Sequence, residues 1–479
     1  EQHDERHSFP TRRSSDLPVP DARVCVVGGG PAGDVAALRA AQLGAEVVLV
    51  ERDLLGGTCV NRGCIPTKAL LASSELVGRL GEAEAFGIEL GRVGVDWARM
   101  LARAMDIAAR MRRGVEEACA RRGVTVVRGD AWLEAPDRVA IETPDGVEHV
   151  HAPTVVLAPG AEPARLPVLD AEHPAVLDST GALAMEELPA SMVIVGGGVI
   201  GCEFASMLAP LGCRVTIVEA LPRILATEDR RVSQTMTQVL RRQGVEVLTG
   251  VQVAEVAEYR GGGVRLRLSE GGERDAERVL VSVGRRPNTV DLGLEEVGVR
   301  LDARGFVEVD EHLRTGVGDV YAVGDAIATP ALAHLGQAEG ANAVETALDG
   351  PRVLDRSLVP VCIYTIPEIA RVGLTVEEAR ERGHRVVTGT GRLGANGKAL
   401  ALGETAGFCQ LVVDERSDRL LGATLMGPHA TDLVHELGLA LLHGIGAREV
   451  GLMIHAHPTV AEVVMDAAHD VHGVGLYAG

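Results

Sequence analysis

With 479 residues the chain has room for about three domains, and its 46% hydrophobic and 24% charged residues are the balance of a globular protein. A formal charge of −20 and an aromatic content of 2% exclude a surface for nucleic acid or anionic membrane. No run of 18 apolar residues occurs, so no membrane span is expected and the chain reads as cytoplasmic. Residues 1–20 are polar, lack an apolar signal core and read as a disordered tail or an artefact, the SFPTRRSSDL run in particular.

Val24-Cys25-Val26-Val27 reads as a short buried strand. Gly28-Gly29-Gly30-Pro31-Ala32-Gly33 comes next as G-x-G-x-x-G, then an apolar-faced helix ending at Gly44 and a second strand ending at Glu51. This is a complete dinucleotide-binding βαβ opening. Gly28, Gly30 and Gly33 allow a pyrophosphate to approach the helix N-terminus, and Glu51 can accept from a ribose hydroxyl.

The next stretch, Gly56-Gly57-Thr58-Cys59-Val60-Asn61-Arg62-Gly63-Cys64-Ile65-Pro66-Thr67-Lys68, holds two cysteines five positions apart. On a regular helix that spacing is about 7.5 Å along the axis, too far for a relaxed disulfide. The glycines around the cysteines allow the backbone to distort and bring the sulfurs together. A strained disulfide is easily reduced, as catalytic disulfides are. On spacing alone two buried cysteines remain the alternative, and the adjoining nucleotide signature favours the reactive pair. The chain has only two lysines, Lys68 and Lys398, so a lysine one turn after Cys64 points to a required ammonium. The other six cysteines are scattered, with no zinc-type spacing, and no metal site is expected.

Residues 69–121 read as helical, with strands near 124–127 and 139–141 and a buried strand over 154–158. Ser191–Val195 opens a second βαβ unit, with Gly196, Gly198 and Gly201 in G-x-G-x-x-G and Glu219 at the end of its second strand. Two such units imply two dinucleotides. Glu219 would repel a 2′-phosphate, and the adjoining ALPRILATED carries a single arginine, Arg223, so NAD is favoured over NADP. A return segment spans 281–289, then Tyr321-Ala322-Val323-Gly324-Asp325 stands before a helical run. The residues from Asp355 on mix strands and helices as an α+β domain. Near the C-terminus, His455-Ala456-His457-Pro458 precedes Glu462, which is close enough in sequence to orient an imidazole.

GGTCVNRGCIPTK resembles the redox motif of the disulfide oxidoreductase flavoproteins, the class I pyridine nucleotide-disulfide oxidoreductases. Within them the resemblance, from about Ala22 to about Val471, is to the dihydrolipoamide dehydrogenases. It implies an α/β fold of two Rossmann-like domains, for FAD and NAD, plus a C-terminal α+β dimerisation domain. The expected limits are 21–157 and 285–354 for the FAD domain, 158–284 for the NAD domain and 355–479 for the interface domain. It implies a redox disulfide Cys59–Cys64, with His457 as acid/base and Glu462 as its partner, acting across a homodimer. Thr58, Lys68, Gly324, Asp325, Ala333 and His334 join the flavin set, with Asp325 accepting from the ribityl chain and Lys68 pairing with Glu203. Val253 and Gly284 join the nucleotide set. Relatives carry A-T-G-S where Ala158-Pro159-Gly160-Ala161 stands, so a backbone donor and a hydroxyl are missing there. The implied reaction is FAD-dependent oxidation of protein-bound dihydrolipoamide with reduction of NAD. The implied partners are lipoylated proteins within a 2-oxoacid dehydrogenase or glycine-cleavage complex.

Other readings are weaker on the residues. A glutathione-type reductase would show paired arginines after Glu219, and a mercuric reductase a C-terminal cysteine pair. A soluble transhydrogenase would lack Cys59. A non-catalytic flavoprotein sensor has no need of Cys59, Cys64, His457 and Glu462 together.

Overall fold

The computed structural model describes residues 20–260 and 263–475; the expected tail lies outside them up to residue 19. The chain divides into two compact units. One comprises the chain up to Ala69 with Arg99–Ala164 and Arg285–Asp355, the other Leu70–Ala98, Arg165–Gly284 and Arg356–Gly479.

The first unit opens with β1 (Val24–Val27), α1 (Pro31–Gln42) and β2 (Val47–Glu51). Four fully buried residues make β1, as a strand covered on both faces requires. Pro31 starts α1 at the position where a missing N–H costs nothing. The redox stretch forms two helices, α2 (Gly57–Arg62) and α3 (Cys64–Gly81), and α4 (Trp97–Arg121) leads to β3 (Thr125–Arg128). β4 (Thr154–Leu157) pairs parallel with β1.

The chain then builds the second dinucleotide unit. It runs β5 (Ser191–Val195), α5 (Val199–Leu208), β6 (Arg214–Glu219), α6 (Arg230–Arg242), β7 (Glu246–Thr249) and β8 (Arg278–Val281). After Arg285–Pro287, antiparallel to Ala161–Pro163, β9 (Val320–Ala322) and α7 (Ala333–Asp349) complete the first unit. Its sheet order is β9-β4-β1-β2-β3, all parallel. The second sheet, β7-β6-β5-β8 with a short strand at Val176–Leu177, has the same parallel order. In such sheets the ligand crevice lies beyond the strand C-termini beside the first strand. α1 packs on α7 through glycine: a Cβ on Gly340 would stand 2.1 Å from the Ala32 carbonyl oxygen.

Of the three-stranded antiparallel sheets over 130–151 and 253–276, the apolar pattern makes plain only the strand near 139–141, observed as Arg138–Thr143. The C-terminal part of the second unit is a five-stranded antiparallel sheet, in the order 361–363, 369–373, 420–426, 408–414, 386–392. α8 (Glu462–Val471) lies on its edge, where a Cβ on Gly389 or Gly391 would stand 2.1 Å from a carbonyl oxygen of that helix. No described helix is long and apolar enough to cross a membrane.

Candidate active site

The two cysteines meet because the helix is broken between them. Gly56 and Gly57 take left-handed backbone (φ 85° and 55°), and a Cβ on Gly57 would meet Gly30 Cα at 2.7 Å. Gly63 then interrupts the helix between α2 and α3, and a Cβ there would stand 2.8 Å from the Thr58 carbonyl oxygen. The result places Cys59 and Cys64 in a thiol–thiol hydrogen bond that, with burial, raises the Cys59 thiol above its ordinary range. Lys68, one turn along α3, opposes that rise with its charge. Cys64 is exposed and Cys59 half-buried. Thr58 precedes Cys59 in α2.

Asn61, between the cysteines, holds the loop through contacts that its place in the sequence does not signal. Its amide donates to the carbonyls of Leu55 at 2.9 Å and Gly57 at 3.0 Å, and Arg112 of α4 donates to its oxygen at 3.0 Å. Arg62 pairs with Asp53 on the same loop.

Both glycine-rich turns show the same division of labour. A Cβ on Gly33 would stand 1.8 Å from Gly28 O, and one on Gly201 would stand 2.0 Å from Gly196 O, so these glycines serve close packing. Gly28 and Gly196 need their positive φ of 102° and 110°. The middle glycines differ: Gly198 has nothing within 4 Å and Gly30 only Gly57 Cα at 3.8 Å. Neither α1 nor α5 has a side-chain cap, so no capping side chain takes their first-turn N–H groups. That is the room and polarity a pyrophosphate needs, and FAD at the first turn and a pyridine dinucleotide at the second fit these residues.

The acids repeat as well. Glu51 accepts from Gly29 N at 2.7 Å and Asp53 N at 2.8 Å; Glu219 accepts from Gly197 N and Leu221 N, each at 2.6 Å. Both carboxylates thus clip the glycine turn to the loop after the next strand. Arg223 is committed elsewhere: its guanidinium donates to the carbonyls of Glu228 and Ala226 and to Ser233. Val253 is buried in the apolar cluster under the antiparallel sheet, and Gly284 has φ 130° with open space beside it. Glu203, 4% exposed in α5, accepts the Tyr364 N–H at 3.0 Å.

At the second flavin motif Gly324 donates to Glu339 at 2.9 Å, and Asp325 lies 3.6 Å from Arg285. Burial raises the Asp325 carboxyl, with Arg285 opposing. Ala333, half-buried, and His334, exposed, stand in the first turn of α7. Across the Pro159 departure, Asn288 secures the turn: its amide donates to Pro159 O and its N–H to Gly160 O, each at 3.0 Å.

His457 Nδ1 lies 2.8 Å from Glu462 Oε1, and Glu462 Oε2 accepts Thr459 N–H at 2.9 Å. A carboxylate only accepts, so Nδ1 carries the proton and Nε2 of the neutral ring is left with a free lone pair. The imidazole is 77% exposed, open to a substrate. Burial pushes the Glu462 carboxyl up, but the Thr459 and His457 hydrogen bonds outweigh it and hold it below its usual value. His455, which the sequence left without a role, is a different device. Its side chain is 2% exposed, with Nε2 on Glu436 and Nδ1 on the Met453 carbonyl, each at 3.1 Å. Two acceptors require two N–H donors, and the Glu436 bond raises this histidine toward its charged form.

The Cys59–Cys64–Lys68 group belongs to the first unit and the His457–Glu462 pair to the second. Among the described residues no group of histidines, cysteines and acids can hold a metal.

The sequence signature of the family described as "Pyridine nucleotide-disulphide oxidoreductase" matches residues 22–340, and that of its dimerisation domain matches 359–468. The Dihydrolipoyl dehydrogenase of Geobacillus stearothermophilus is 38% identical over 460 residues, 95% of this chain and 97% of that protein. That of Halobacterium salinarum is 40% identical over 463 residues, 95% of this chain and 97% of that protein. Among solved structures, the Cu(II) complex of the HOCl-induced flavoprotein disulfide reductase RclA from Escherichia coli matches with a TM-score of 0.86 at 28% identity. It covers 94% of this chain and 99% of its own.

Proposed function

The chain belongs to the pyridine nucleotide-disulphide oxidoreductase family, and on that footing we propose that it oxidises dihydrolipoamide to lipoamide and reduces NAD. The observation that carries the reading is the thiol pair that the Gly63 break holds in hydrogen-bond contact, with a lysine one turn away. Curated relatives at 38–40% identity bear the name Dihydrolipoyl dehydrogenase, which sets the substrate class.

His457 Nε2 takes the proton from one substrate thiol, and Glu462 holds the imidazolium that forms. The substrate thiolate attacks Cys59 Sγ; the Cys59–Cys64 bond breaks and Cys64 leaves as a thiolate. The second substrate thiol attacks the substrate sulfur of the mixed disulfide and its proton passes to the leaving Cys59 sulfur, so that oxidised substrate is released and Cys59 is left as a thiol. Lys68 offsets the charge that collects at the pair. A bound FAD would supply the carrier for the electron pair between the reduced cysteines and NAD. Gly28, Gly30, Gly33, Glu51 and Asp325 hold the flavin nucleotide; Gly196, Gly198, Gly201 and Glu219 hold NAD. The commitment of Arg223 to two carbonyls and a serine leaves no guanidinium there for a 2′-phosphate, which favours NAD over NADP.

The enzyme works as a homodimer, the His457–Glu462 pair of one protomer serving the cysteines of the other, and takes the lipoyl group on a carrier protein of a 2-oxoacid dehydrogenase or glycine-cleavage complex. The test is NAD-dependent oxidation of dihydrolipoamide by the purified yellow protein, with NADP and glutathione as controls. Turnover with NAD and dihydrolipoamide but not with the controls is expected. Flavin reduction by NADH without lipoamide turnover would move the substrate to another disulfide.

A further inference from the structure

The redox loop is fastened from outside its own stretch of sequence, because α4 reaches it with two arginines. Arg112 Nη1 donates to the side-chain oxygen of Asn61 in α2, and Arg103 Nη1 donates to the carbonyl of Ala69 in α3, each at 3.0 Å. The helix that carries both arginines is itself anchored. Ala104 and Ala108 are buried, and Val115 and Cys119 pack in the apolar cluster that holds β1, β2 and α1. Arg112 is further steadied by Glu116, 3.7 Å from its Nε and four residues on in α4.

The two contacts fall on different halves of the broken helix. Cys59 and Asn61 share the six residues of α2, and Cys64 opens α3, five residues before Ala69. A six-residue helix does not hold its place by its own hydrogen bonds, so its position is set by what it touches. Asn61 supplies most of that. Its amide ties α2 back to the carbonyls of Leu55 and Gly57, and its oxygen ties α2 out to Arg112. Across the break, the N–H and hydroxyl of Thr67 both donate to the Gly63 carbonyl, at 3.1 Å and 2.7 Å. Gly63 is thus the single residue between two separately held helices.

We propose that Arg112 and Asn61 are positioning residues for the redox pair, and that with Arg103 they make α4 a brace that holds Cys59 beside Cys64 and so sets how readily their disulfide is reduced. The inference rests on the disulfide chemistry proposed above. A disulfide needs its two Cα atoms within about 4.4–6.8 Å of each other, whereas two thiols can stand apart. A braced α2 keeps the thiols at closing distance and favours the disulfide. A released α2 gains conformations open only to the thiols, which favours reduction. The charge of Arg112 acts the other way. A guanidinium favours thiolates, so its loss taken alone would make the pair harder to reduce. The sign of the shift separates brace from charge.

The test is the equilibrium of the flavin-loaded protein with dithiothreitol redox buffers at pH 7, the cysteine-bearing peptides being trapped with N-ethylmaleimide and identified by mass. In this exchange reduced dithiothreitol gives two electrons and two protons to the Cys59–Cys64 bond. Two thiols are left on the protein and the reagent becomes its cyclic disulfide. Arg112→Met should move the equilibrium roughly threefold to tenfold toward the thiols, the worth of one hydrogen bond, which raises the midpoint by about 15–30 mV. Arg103→Met should move it the same way. Asn61→Ala should move it at least as far as Arg112→Met, and adding Arg112→Met to Asn61→Ala should then change nothing, because the partner is gone. An unchanged or lowered midpoint in either arginine variant overturns the proposal. So does an Arg112→Met shift that persists in full in the Asn61→Ala background. If wild type shows no exchange between two thiols and a disulfide at any buffer ratio, the disulfide reading itself fails and takes this inference with it. Should Arg112→Met not fold, Arg112→Leu removes the same donor and must give the same shift.

Discussion

His457 and His455 stand two residues apart, and their partners give them opposite characters. His457 is exposed with one nitrogen held by Glu462 and the other free to exchange a proton. His455 is buried with both nitrogens donating. Replacing His457 by Gln keeps a polar side chain but removes the base. We expect the dithiol half-reaction to slow roughly 10²–10⁴-fold while reduction of an artificial acceptor by NADH is unchanged. Stopped-flow measurement of the two half-reactions checks this, and equal losses in both would remove His457 from thiol chemistry. The sequence can nominate His457 and Glu462 because they lie five positions apart. It cannot separate His455 from them, since Glu436 lies 19 residues away and reaches His455 only through the fold.

At the scale of elements, the two glycine-rich turns are built alike and should fail alike. A methyl group on Gly201 would lie 2.0 Å from Gly196 O, and one on Gly33 would lie 1.8 Å from Gly28 O. No side chain can yield there, because the opposing atoms are backbone. Gly201→Ala should leave the protein yellow but weaken bleaching by NADH at least tenfold. Gly33→Ala should instead be recovered without flavin. Absorbance at 450 nm with and without NADH distinguishes the two, and unchanged bleaching in Gly201→Ala would show that α5 can move away from its strand. These βαβ turns are plain in the sequence because strand, glycines and acid are contiguous. The helix break at Gly63 is legible only as a possibility, since five-residue spacing alone also suits two unrelated cysteines. The antiparallel sheets over 130–151 and 253–276 mostly escape the apolar pattern because their strands are partly exposed and carry charged residues on the open face.

For the whole molecule, the apolar run Leu452-Met453-Ile454 lies immediately before the histidines and is exposed, Ile454 at 93%. It belongs to the segment matched by the dimerisation signature. A second copy of the chain is the occupant that both facts indicate. Ile454→Asp should weaken the dimer in analytical ultracentrifugation and cut dihydrolipoamide turnover in step, with flavin still bound. A fully active monomer would refute the proposed sharing of the site. Within the second unit, Arg371 pairs with Glu228 at 2.9 Å, with Glu228 2% exposed. This joins the strand Ile369–Gly373 to the loop that also anchors Arg223. Such a long-range pair is invisible in sequence, where the two residues stand 143 positions apart.

The acid clips at Glu51 and Glu219 bear on redesign. A protein engineer wishing to switch this chain to NADP would first replace Glu219, the residue whose charge stands against a 2′-phosphate. Both of its oxygens already hold backbone N–H groups, one in the glycine turn and one in the loop after the strand. Any substitution that welcomes the phosphate therefore also unfastens the turn that seats the dinucleotide. A successful switch must supply a replacement acceptor for Gly197 and Leu221 in the same step, and must free Arg223 from its carbonyls.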